Sequence, residues 1–198
     1  MSNLGLIISF LAIGAGLLWF LVRAIQGKEV ERRIIFLFIG LAVSVPILFS
    51  ITFAEKASPI VRAAYNKIEN LPPGSRILIS YDYGPSMAPE VEPMSNAFLR
   101  HSLAKGHKVY LMGLWATGQS LAATAVDSII RLEFPDKVNG IDYVNLGYKA
   151  GNQGVLNVII TDIRKMYLTD VGGIDLDSMP IMNGIKSLRN MDLLMSER

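Results

Sequence analysis

Two uncharged runs, Leu4–Val22 (LGLIISFLAIGAGLLWFLV) and Ile34–Ala54 (IIFLFIGLAVSVPILFSITFA), restrict this chain more than any other feature. Each is about 20 residues, and at about 1.5 Å of helical rise per residue each reaches across a hydrocarbon core of roughly 30 Å. They also account for a chain that is 51% hydrophobic and 18% charged, more apolar than an ordinary soluble domain. A cleaved signal peptide does not explain the first run, because no Lys or Arg precedes it and no small-residue cleavage site follows it. The expectation is a transmembrane helical hairpin over residues 1–54, with spans at about 4–22 and 34–54.

Arg23, Lys28, Arg32 and Arg33 crowd the connector between the runs, whereas the N-terminal tail carries no basic side chain. The positive-inside rule then places the connector in the cytoplasm and the soluble domain outside it. Lys56, Arg62 and Lys67, just after the second run, pull toward the cytoplasmic alternative. Trp19 and Phe20 beside Arg23 suit a membrane interface, and Gly14 and Gly16 offer a surface for close helix contact. The chain has no cysteine, which excludes disulfides and thiol chemistry. A net charge of +2, with no basic cluster outside the connector, excludes a nucleic-acid footprint.

Residues 55–74 read as an amphipathic helix and linker. Ser58-Pro59 is a helix start, Ile60, Ala64, Ile68 and Leu71 recur on one face, and Leu71-Pro-Pro-Gly-Ser75 stops it. Residues 75–198 then alternate strand and helix. Strands are predicted at Arg76–Tyr81, Lys108–Leu114, Asp142–Leu146 and Met191–Met195, and helices at about Glu90–Lys105, Thr117–Leu132 and Val155–Tyr167. Arg76–Tyr81 does not alternate in polarity, as fits a strand covered on both faces. The fold class is therefore α/β: the two-helix hairpin followed by a doubly wound, mostly parallel Rossmann-like sheet. A last strand with no helix after it leaves that sheet incomplete at its C-terminal edge, to be completed by a partner or by further chain.

In such a sheet ligands bind beyond the carboxyl ends of the strands, where Asp82–Pro89, Trp115–Gly118 and Gly147–Gly154 would meet. Asp82, Gly84, Trp115, Thr117, Gly118, Lys149 and Gly151 are the candidate binding residues. Small residues admit a ligand to the backbone, Lys149 supplies charge, Trp115 can stack, and helix starts favour an anion. The same glycines also serve every strand-to-helix turn, so they have structural work regardless. The segment GYKAGNQG has neither the Gly-Lys-Ser/Thr of a phosphate loop nor a GxGxxG fingerprint. Asp82, Glu90 and Glu92 are the carboxylates placed for base or cation chemistry. No serine elbow, HExxH or metal-ligand spacing accompanies them, and no cofactor is implied. His101 reads as a satisfied residue at the core edge, His107 as solvent-exposed in a turn, and Asp170–Asp177 as a loop.

The strings LPPGSRILISYDYGPSMAPEVEPMSNAFLRHSLAKGHKVYLMGLWATG, DYVNLGYKAG, TDVGG and MPIMNGI resemble an uncharacterised bacterial family of two-span membrane proteins with a Rossmann-like soluble domain. The resemblance implies this fold and a sheet that continues past Arg198 in other members, and it implies no catalytic residues. Two functions stand as expectations. One is a non-catalytic structural or assembly subunit in the lipid bilayer, forming a homo-oligomer or joining another membrane protein that completes the sheet edge. The other is a membrane-tethered sensor domain for a small anion or nucleotide.

Overall fold

The computed structural model describes residues 3–27, 31–48, 56–150 and 153–197, in two compact units, Met1–Ala57 and Ser58–Arg198. In the first unit α1 (Asn3–Ile25) and α2 (Arg32–Leu48) pack together. Gly16 permits the contact, since a Cβ there would overlap the Phe38 ring, whereas Gly14 faces open space. Phe20 meets Phe38 edge to face at 5.2 Å, and the Arg23 guanidinium lies 4.8 Å over the Trp19 ring. Leu11, Leu18, Leu21, Phe36 and Leu37 remain exposed. Among the described residues no helix is long and apolar enough to cross a membrane. Only 17 residues of α2 are described, about 25 Å of rise, and the end of the expected second span lies outside the described residues.

The second unit is a four-stranded, all-parallel sheet in the order β3-β2-β1-β4. Its strands are β1 (Arg76–Tyr81), β2 (Lys108–Gly113), β3 (Tyr143–Tyr148) and β4 (Leu193–Glu197). Between β1 and β2 runs α4 (Ala88–Ala104), and between β2 and β3 run α5 (Ala116–Ala125) and the short α6 (Arg131–Glu133). After β3 comes α7 (Gln153–Thr161), then a series of 3₁₀ turns leading back across the sheet to β4.

The side-chain alternation of a strand divides the interior into two layers. Ile77, Ile79 and Tyr81 of β1 and Val109 and Leu111 of β2 face Val91, Leu99 and Leu103 of α4 and Ala122 and Ala125 of α5. Leu78, Tyr110, Met112 and Val144 face Ile159 of α7, Ile163, Tyr167 and the 3₁₀ segment around Ile181. Burying each such aliphatic side chain contributes roughly 1.5–3 kcal/mol, so the apolar strands of the sequence require both layers. The doubly wound, parallel α/β architecture expected from the sequence is therefore present.

A further helix, α3 (Pro59–Glu69), begins as its sequence dictates: Ser58 Oγ accepts the Val61 N–H at 3.3 Å and Pro59 occupies the first turn. It docks on the end of α4, where Glu69 accepts from Lys105 Nζ at 2.8 Å and meets His101 Nε2 at 2.9 Å. His101 also stacks on Tyr65, with ring centroids 4.5 Å apart.

The helix predicted over 117–132 is present as a continuous run from Ala116 to Glu133, with a π-helical turn at Val126–Ile130 inside it. Three expectations are corrected. The helix predicted to reach Tyr167 stops at Thr161, because Asp162 turns extended and its carboxylate caps the 3₁₀ turn Ile163–Lys165 through the Arg164 N–H. The fourth strand starts two residues late, since Asp192 is held outside it, accepting the Arg76 N–H at 2.8 Å and donating its own N–H to the Arg76 carbonyl at 2.9 Å. His107, expected in solvent, is 2% exposed. Its backbone N–H donates to the Ser102 carbonyl at 3.0 Å, which folds the turn inward under α3.

Candidate functional site

Strand order decides where a ligand could enter. The chain moves from β1 to β2 to β3 in one direction and then returns to place β4 on the other side of β1. The β1–β2 connection and the β3–β4 crossover thus lead to opposite sides of β1, which makes the carboxyl end of β1, beside β4, the switch point of the sheet. Asp82 follows β1 directly and stands at that point, 1% exposed.

Residue parity builds its surroundings. Leu78, Ser80 and Asp82 point to one side of the sheet, as do Met112 and Leu114 next to β1 on one flank and Leu194 and Ser196 on the other. With Leu156 of α7 and Leu188 above them, they line a half-open cavity of about 200 Å³. Asp82 Oδ1 accepts the Leu114 N–H at 2.7 Å, and Oδ2 accepts the Ser80 hydroxyl at 2.6 Å. Ser196 Oγ lies 3.5 Å from the same Oδ2, at the outer limit of a hydrogen bond. The carboxylate is therefore held by a backbone amide and hydroxyls, and among the described residues it forms no ion pair.

The neighbouring phenol registers that charge. Tyr167 is buried, its hydroxyl has no partner among the described residues, and burial first and the Asp82 charge second raise its pKa above the usual value. Lys149 Nζ lies 5.6 Å over the Tyr167 ring, while the Lys149 N–H extends the β2–β3 pairing by donating to Gly113 O at 3.1 Å. Lys149 thus borders a separate hollow at the end of β3, of about 330 Å³, shared with Gln119 and Thr169.

The other candidates act mostly on the fold. Thr117 Oγ1 donates to the Tyr83 carbonyl at 2.9 Å and fastens the start of α5 to the loop after β1. Gly118 is pressed on the Tyr81 carbonyl, where a Cβ would overlap the oxygen, and the same Cβ would meet Gly113 Cα at 3.2 Å. Gly84 is the opposite case, since a Cβ there would find no atom within 4 Å, and its carbonyl accepts the Met87 N–H at 3.0 Å in the turn before α4. Trp115 is half exposed at the cap of α5, and Gly151 lies outside the described residues. Glu90 is exposed in the first turn of α4, where the helix dipole favours it, and Glu92 is half-buried.

The structure therefore brings Asp82 together with Ser80, Leu114 and Ser196, none of which was among the candidates, and does not gather the candidates into one pocket. Ser80 had a signal, since two-residue spacing on a strand puts it on the face of Asp82. Ser196 had none, because it arrives from a strand more than a hundred residues away. Among the described residues no cluster of His, Asp and Glu could hold a metal ion. Ser80 is bonded to a carboxylate with no histidine between them, an arrangement that lacks the base a serine nucleophile requires. What remains is a buried acceptor site under an apolar roof.

Comparisons with family models, with curated proteins and with solved structures return no match. Fold and site together define a parallel, doubly wound α/β domain with a buried carboxylate at its switch point.

Proposed function

We propose that this chain is a membrane-anchored, non-catalytic subunit that assembles into an oligomeric membrane complex through the β4 edge of its sheet. The observation that carries this reading is the unequal treatment of the two sheet edges. On β3, Val171 N–H donates to Asn145 O at 3.0 Å and Gly140 N–H donates to Tyr143 O at 2.8 Å, so loops occupy the outer edge. On β4, the ladder pairing among the described residues is with β1, and Leu194 is 50% exposed. An uncovered parallel edge strand is a ready site for strand addition. The bilayer anchor is supported by the two uncharged runs and by the apolar side chains that α1 and α2 leave exposed. The basic connector favours a domain outside the cytoplasm.

The alternative, a small-anion or nucleotide sensor, is weaker. The group at the switch point is a carboxylate, and Lys149 is engaged over Tyr167 at a different hollow. Native mass spectrometry of the protein extracted gently from its own membrane tests the assembly reading. A discrete homomer or a reproducible heteromer is expected. A monomer at native abundance would overturn it.

A further inference from the structure

We infer that the switch-point cavity over β1 and β4 is a binding site for a small primary ammonium ion with a short aliphatic body. This needs no partner chain and stands or falls independently of the assembly reading.

Hydrogen-bond polarity at the floor of the cavity sets the ligand class. The Ser80 hydroxyl spends its hydrogen on Asp82 Oδ2 at 2.6 Å, so its oxygen faces the cavity as an acceptor. Asp82 is acceptor-only when ionised, and each of its oxygens has capacity beyond the one short bond it receives. Ser196 Oγ stands 3.5 Å from Oδ2, too far to satisfy it well. The floor thus presents three oxygens with free acceptor capacity, and an ammonium carries three N–H donors. A carboxylate or phosphate would meet acceptors and a negative charge.

Charge gives the same answer. Among the described residues no Lys, Arg or His lines the cavity, and Asp82 is 1% exposed. A buried carboxylate under apolar walls is costly unless a cation compensates it. The walls, Leu78, Leu114, Leu156, Leu188 and Leu194, then select an aliphatic body. Size bounds it: a cavity of roughly 150 Å³ is enough for benzene, and this one is about 200 Å³. The ligand is small, well below drug size.

The experiment uses the full chain purified in a non-ionic detergent, with n-butylammonium, n-butanol and n-butyrate as probes at equal concentration. Binding to the native state alone raises the melting temperature by a saturable amount. The expected result is a saturable rise with n-butylammonium, no comparable rise with the alcohol or the carboxylate, and at least a tenfold weaker response in Asp82→Asn. Asp82→Asn keeps an acceptor for Leu114 N–H, removes the charge and replaces the Oδ2 acceptor with a donor toward Ser80. Should that variant fail to fold, Leu194→Trp fills the cavity from the half-exposed edge strand without touching the Asp82 bonds, and is expected to abolish the rise. No rise with n-butylammonium, an equal rise with n-butanol, or a rise retained in either folded variant would overturn the assignment.

Discussion

Asp82 accepts the Leu114 N–H at 2.7 Å, so the carboxylate at the tip of β1 closes off the end of β2, with the two groups 32 residues apart in sequence. The loop between Tyr81 and Ala88 is consequently both a corner and a floor. Asp82→Ala leaves a buried N–H and a buried hydroxyl without acceptors, each worth about 1–3 kcal/mol when orphaned. Asp82→Asn can keep both bonds, its carbonyl taking the Leu114 N–H and its amide donating to Ser80. Urea unfolding is expected to show the alanine variant less stable by about 2–4 kcal/mol and the asparagine variant within about 1 kcal/mol of wild type. Equal losses in the two would show that charge, not acceptor geometry, holds this corner.

Gly118 tests how closely α5 is set on the sheet. A Cβ there would overlap the Tyr81 carbonyl oxygen, and backbone on both sides leaves little room to yield. Overpacking of this kind costs about 1–3 kcal/mol and sometimes more. Gly118→Ala is expected to lower the melting temperature clearly, whereas Gly84→Ala, with open space around it, is expected to leave it nearly unchanged. A thermal melt of each variant decides it.

These two positions mark what could be read from the sequence. RILISY announced β1 to the residue, because a run without alternation between a Pro-Gly turn and an Asp-Tyr-Gly-Pro turn fits a strand buried on both sides. Gly118 could be named as structural but not as tight, since closeness to Tyr81 is a tertiary fact. The break at Asp162 and the π-turn at Val126–Ile130 were hidden because an apolar helical period continues through both. His107 was misplaced because Gly106 beside it signals a turn, and turns are usually wet. Here α3, brought from some forty residues earlier, covers it. Ser196 could not be paired with Asp82 until the strand order was known.

His107 is expected to make stability fall on mild acidification. Burial lowers its pKa first of all, the nearby Ile68 backbone opposes this, and His101 and Lys105 add to the lowering. The unfolded chain takes up a proton near pH 6.5, and the folded chain only at lower pH. The His107 contribution is therefore complete above about pH 6.5 and is lost as pH falls through that value toward the folded pKa. Melting temperatures from about pH 7.5 to about pH 5 should decline, and His107→Gln should flatten the decline. An unchanged slope in that variant would remove His107 as the cause.

Glu69 contributes in a different window. Its hydrogen bonds to Lys105 and His101 hold its pKa below the usual carboxylate value. A depressed carboxylate stabilises the fold above its unfolded pKa, near 4.5, and the contribution disappears as pH falls through the folded value. Because Glu69 and Lys105 are at the surface the effect is modest and salt-sensitive. Glu69→Gln is expected to reduce the acid loss of stability below pH 4.5 at low ionic strength, and to match wild type in high salt. A difference that persists in high salt would mean that the α3–α4 contact depends on packing around Glu69 more than on its charge.

The open edge of β4 yields the most direct test of how the protein is used. The chain contains no cysteine, so one introduced thiol reports from one place. Leu194 sits on the edge strand at 50% exposure, and Leu132 on α6 is a control at 75% exposure on a different surface. If β4 is the interface, a benzophenone maleimide attached in native membranes at Leu194→Cys cross-links on illumination to a discrete product. Its mass is twice that of the chain for a homomer, or a fixed larger mass for a heteromer. Leu132→Cys, though more accessible, should give far less product. Exposure alone predicts the reverse ranking, so the comparison separates an occupied edge from an accessible side chain. Equal labelling with no cross-link at either position would leave β4 as a free edge and move the interface elsewhere on the molecule.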